Sequence, residues 1–184
     1  MKRRISRHLP ELLVSGVDIL IVAVIVPKPY TRGMAQANRT ACVSHVQQLA
    51  QAIAMYRMDT DQVMPGGPRW HRNVMTYVSE KPDWGLYFCP AREEDPGFAY
   101  GLNWSVGGLP EHVIQRPTEM VLLADVRNST DTLWWVNNIS FLKLERNRVP
   151  LPCHLGRTNV AFCDGHVKSI DANETTKGNW VVGE

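Results

Sequence analysis

Residues Leu9 to Val26 read LPELLVSGVDILIVAVIV, and Lys2, Arg3, Arg4 and Arg7 stand directly ahead of them. No other feature limits the fold as much. Wound as a helix, this stretch rises about 27 Å, close to the roughly 30 Å of a bilayer's hydrocarbon core. Basic residues ahead of an apolar run hold that end in the cytoplasm. A cleaved secretory signal needs small residues after the run, whereas this chain has Pro27-Lys28-Pro29-Tyr30. A buried core helix has no need of the basic flank. The segment is therefore expected to be a single-pass inner-membrane anchor, with everything after it on the periplasmic or extracellular side. Two acids interrupt it. A carboxylate at membrane depth costs a few kcal/mol unless it is paired. Glu11 lies near the start of the run and is expected to pair with another subunit or stay at the interface. Asp18 lies in the middle with no local cation. It either pairs with another subunit or marks the segment as something other than a true span.

The four N-terminal cations against Glu11 and Asp18 account for the whole net charge of +2. The rest of the chain is neutral, which argues against nucleic acid as a partner, since that requires a basic face. Pro27 and Pro29 allow a kink or short break. Beyond them Cys42, Val46, Leu49, Ile53 and Tyr56 recur at steps of four and three, one apolar stripe on a helix. That helix is expected to end before Pro65-Gly66-Gly67-Pro68.

From residue 65 onward, Gly, Pro and Asn punctuate short apolar runs, the pattern of strands joined by turns. Trp84 to Pro90 reads as a short extended piece. Met120 to Ala124 is continuously apolar, as in a strand buried on both faces, and Asp131 to Leu144 alternates weakly. The clearest element is Thr158 to Cys163 and His166 to Ile170 joined by Asp164-Gly165. It predicts a tight hairpin with both turn residues at positive φ. The expected fold is α+β, a long N-terminal helix packed on a small antiparallel β-sheet head. Its divisions are 1–27 (leader and anchor), 28–64 (amphipathic continuation) and 65–184 (head).

Two stretches resemble a known family. Glu11-Leu12-Leu13-Val14 follows basic residues and precedes an apolar run and a helix reading Ala41-Cys42-Val43-Ser44-His45-Val46-Gln47-Gln48-Leu49. This is similar to prepilin-type proteins with an N-terminal cleavage/methylation signal. His154, nine residues and then Asp164-Gly165 resemble the H-X9-DG element at the C-terminus of many prepilin-like proteins. Tyr56 to Pro65, Phe88-Cys89-Pro90, Tyr100-Gly101-Leu102-Asn103 and Pro117-Thr118-Glu119 leading to Asp125 extend the resemblance, in order, over nearly the whole chain. It implies a pilin-like fold and a structural, non-enzymatic subunit of a type IV pilus or type II secretion pseudopilus, with like subunits and a prepilin peptidase as partners. The implied cut falls between Ser6 and Arg7, where the family has glycine and phenylalanine. It would create an amine to pair with Glu11 of a neighbouring helix, fixing register more than adding stability. The competing reading is a tethered head that never polymerises and binds a polysaccharide or protein. A metal-dependent enzyme is the third.

Asp125, His154, Asp164 and His166 are the residues a divalent metal would use. The plainer expectation is structural, with Asp164 in the turn and a histidine bonding the turn backbone, and no cofactor. Four cysteines allow three pairings. Cys153 and Cys163 bracket the strand before the hairpin and are a candidate disulfide, while Cys42 reads as a small core residue. Of the six tryptophans, most are expected in the core, with Trp134 or Trp135 exposed.

Overall fold

The computed structural model describes residues 27–67, 69–79, 84–92, 98–103, 105–126, 135–136, 153–154 and 156–171. Ser6, Arg7, Glu11, Asp18 and Trp134 fall outside these residues. Among the described residues no helix is long and apolar enough to cross a membrane. The chain divides into two compact units, Met1–Ala37 and Asn38–Glu184. The boundary lies inside the first helix, whose second half contributes to the head's core.

Helix α1 (Pro27–Asp59) has both early prolines in its first turn. The missing N–H groups have no intrahelical partner there in any case, so the prolines open the helix without interrupting it. Four of the five stripe residues, Cys42, Val46, Leu49 and Ile53, are fully inaccessible, Ala50 and Ala52 join them, and Tyr56 is half-buried against them. The helix closes when Gln62 N–H donates back to the Arg57 carbonyl at 2.9 Å. Asp61 and Gln62 take φ of 52° and 62° there, a left-handed exit that satisfies the last carbonyls.

Helix α2 (Trp70–Val78) was expected as part of a β-rich region. Trp70, Val74, Tyr77 and Val78 recur at four, seven and eight residues, a helical spacing, and Trp70, His71 and Val74 are buried. Trp84–Tyr87 is a 3-10 turn, not an extended piece.

The sheet comprises β1 (Tyr100–Asn103), β2 (Val121–Asp125), β3 (Trp135–Val136), β4 (Thr158–Phe162) and β5 (Val167–Ile170), in the order β3-β1-β2-β4-β5. β1–β2, β2–β4 and β4–β5 pair antiparallel and β1–β3 parallel. β2 is buried along its whole length, as its unbroken apolar run predicts. A register shift between Val121 and Leu123 breaks strict alternation. Leu122 and Leu123 thus both join the core that contains the α1 stripe. Val121 and Ala124 join Val160, Phe162 and Ile170 in a second cluster.

The β4–β5 hairpin is present, but its turn differs from the expectation. Phe162 N–H donates to the His166 carbonyl and Gly165 N–H to the Phe162 carbonyl, both at 2.9 Å. Gly165 has φ +93°, and Asp164 is not among the positive-φ residues. The loop is therefore three residues long, a type I turn with glycine in the left-handed position.

Candidate functional site

The four expected metal residues separate into two places. Asp164 and His166 lie at the hairpin tip. Asp164 Oδ1 accepts from His166 N–H at 3.1 Å and contacts His166 Nδ1 at 2.6 Å. The His166 ring stacks on Phe162, with centroids 4.2 Å apart and planes 7° off parallel. Asp125 and His154 lie at the opposite end of β4, Asp125 beside its second residue, with β4 spanning about 17 Å at a strand's rise per residue. Asp125 ends β2, and Asn159 N–H, at the start of β4, donates to its Oδ2 at 2.6 Å. The same geometry separates Cys153 from Cys163. Both are free thiols, Cys153 in the turn before β4 and Cys163 directly after its last residue.

Asp125 and His154 anchor a different constellation. His154 exchanges two backbone hydrogen bonds with Arg157, each 3.1 Å, around Gly156 at φ +83°. This turn aims the imidazole inward, where its Nε2 lies 3.5 Å from Asp125 Oδ2 and 3.6 Å from Cys89 Sγ. Cys89 Sγ is 2.6 Å from Cys42 Sγ on α1. Tyr100, opposite Asp125 in the β1–β2 register, brings its hydroxyl within 3.3 Å of His45 Nδ1. Helix α1, the segment after the 3-10 turn, β1, β2 and the turn before β4 all contribute to one buried cluster.

Burial governs its electrostatics. It drives the Asp125 carboxyl well above the usual carboxylate range, with the Asn159 N–H opposing. Burial alone would lower His154, but its side-chain contacts with Cys42 and Cys89 outweigh this and push it up to about 9. The Cys89 contact and burial raise the Cys42 thiol well above its ordinary value. His154 is shared by two groups whose donor atoms all lie within 4.8 Å of one another: Cys42, Cys89 and His154, and Asp125, Cys153 and His154. These are the described residues with the chemistry to hold a metal.

Comparison with protein-family models, with curated proteins and with solved structures finds no match for this chain.

Sequence reasoning found His154 and Asp125 but missed Cys42 and Cys89 as their partners. The available sign was that both cysteines fall inside the phrases carrying the family resemblance. Trp70 is fully buried, as expected for most tryptophans, whereas Trp84 is 41% exposed. The Trp135 side chain lies outside the described residues, as do the predicted cleavage junction and Glu11.

Proposed function

We propose that this protein is a non-enzymatic, membrane-anchored structural subunit of a pilin-like assembly, inserted through residues 9–26 with its head outside the cytoplasm. The observation that carries the reading is the division of labour along the N-terminal region. An apolar segment with a basic flank leads into α1. The Asn38–Asp59 part of α1 gives its whole apolar stripe to an α+β head. On this reading the apolar segment ahead of the head is the part that meets lipid and neighbouring subunits. Glu11 then acts as the register device, matched to a cation on the next helix, because an unpaired carboxylate at that depth is costly.

The cluster around His154 suits a structural role. Its groups are buried, and it ties four separate segments to α1. In-membrane cross-linking between copies of the full-length chain tests the assembly role. Glu11→Ala is expected to abolish the inter-subunit cross-links while the chain stays in the membrane fraction. Unchanged cross-linking would remove Glu11 from assembly. A wild-type chain that never cross-links would leave a solitary tethered head.

A further inference from the structure

The pair Cys42 and Cys89 has no part in assembly as proposed, yet its placement is specific. Three residues on one face of α1 meet three consecutive residues after the 3-10 turn, running in opposite directions. Asn38 Nδ2 donates to the Pro90 carbonyl at 3.2 Å, Cys42 Sγ lies 2.6 Å from Cys89 Sγ, and His45 Nδ1 lies 3.2 Å from the Phe88 carbonyl. The turn is pinned independently, with Phe88 N–H on the Gly85 carbonyl at 3.1 Å and Arg92 N–H on the Cys89 carbonyl at 3.0 Å. The two sulfurs are therefore held from both sides at a spacing closer than unbonded sulfurs pack. They are 0% and 5% exposed.

We propose that Cys42 and Cys89 form a disulfide once the head is outside the cytoplasm, covalently joining α1 to the segment before β1. Its occurrence in cells rests on the extracytoplasmic reading above. Exported proteins keep such bonds, whereas the cytosol reduces them. The step is thiol–disulfide exchange with an oxidised dithiol carrier. One protein thiolate attacks the carrier's disulfide, and the second protein sulfur displaces the mixed disulfide. The carrier leaves as a dithiol holding the two electrons and two protons. The bond closes a loop over a sequence separation of 47 residues, long enough to restrict the unfolded chain strongly.

A metal on the same sulfurs fits less well. Zinc–sulfur bonds of about 2.3 Å in a tetrahedron place two cysteine sulfurs roughly 3.7 Å apart, well beyond the 2.6 Å found here. A ligating histidine nearly always donates its other ring N–H, but His154 Nδ1 is buried without a partner among the described residues.

The test uses the full-length chain in detergent, equilibrated with oxidised glutathione, acid-quenched, alkylated and digested. Two molecules of reduced glutathione are released per bond formed. The expected result is a linked Cys42–Cys89 peptide with Cys153 and Cys163 alkylated. Reduction should then lower Tm by roughly 10 °C, and Cys42→Ala should have a Tm indifferent to reductant. Four alkylated cysteines after oxidation overturn the proposal. One equivalent of zinc by elemental analysis would then indicate a metal site, and no metal a plain thiol pair. The same alkylation in intact cells separates the two claims. A pair that oxidises in vitro but stays reduced in cells supports the cross-link geometry and contradicts the extracytoplasmic reading.

Discussion

His154 Nε2 sits 3.5 Å from Asp125 Oδ2, and both side chains are almost completely inaccessible to solvent. The carboxylate oxygen that faces the imidazole also accepts the Asn159 N–H. The histidine that opens the H-X9-DG spacing is thus a clamp between β2, the start of β4 and the cysteine pair. The Asp-Gly that closes the spacing belongs to a separate, exposed turn.

Breaking one side of a buried pair strands the other. His154→Ala is expected to destabilise the head by about 3–5 kcal/mol in a urea titration followed by tryptophan fluorescence. Asp125→Ala should cost a similar amount, and the double variant clearly less than the sum. Additive losses would show that the two side chains do not act together.

The hairpin tip should behave differently. Asp164→Ala removes two contacts at a partly exposed turn and is expected to cost no more than about 1 kcal/mol. Gly165→Ala places a side chain at φ +93° and should cost about 1–2 kcal/mol. A tip variant as damaging as His154→Ala would contradict the separation of the two halves of the motif.

Much of this architecture is legible in the sequence, for local reasons. The α1 stripe, the buried β2 run and the β4–β5 hairpin are each set by periodicity or turn residues within a few positions. The turn type was misread because Asp-Gly serves equally as a two-residue loop or as the end of a three-residue one. Helix α2 was missed because its nine residues sit among breakers and carry only two helical turns of pattern. The cluster was half legible. Cys42, Cys89, Asp125 and His154 come from four separate segments, and no spacing rule links them. The Cys153–Cys163 pairing followed from nearness in sequence, which an extended strand defeats.

Gly66 marks a close backbone approach. A Cβ there would lie 2.9 Å from Gly108 N and 3.1 Å from Gly108 Cα, where Gly108 N–H donates to the Met64 carbonyl and Met64 N–H to the Leu109 carbonyl. Backbone gives way less readily than a side chain. Gly66→Ala is therefore expected to cost about 1–3 kcal/mol, measured as a shift in urea midpoint. Gly67→Ala fills open space but is strained at φ +85°. It should cost about 1–2 kcal/mol.

His71 lies among Trp70, Trp84, Tyr87 and Phe98. Burial, with Arg72 and Arg69 adding repulsion, lowers it to about 4 from 6.5. Between these values the unfolded chain binds the proton and the folded one does not. Its contribution to stability is therefore complete above pH 6.5 and is lost as pH falls toward 4. Tm of the wild type should fall more steeply over this window than that of His71→Phe. Parallel curves would show that the imidazole is not held neutral.

The assembly account is tested most directly by the intact mass of the membrane-bound chain after co-expression with a prepilin peptidase. The account predicts loss of residues 1–6, leaving a chain that begins at Arg7 with Glu11 at its fifth position. A chain that keeps its full mass in the membrane beside an active peptidase would contradict it.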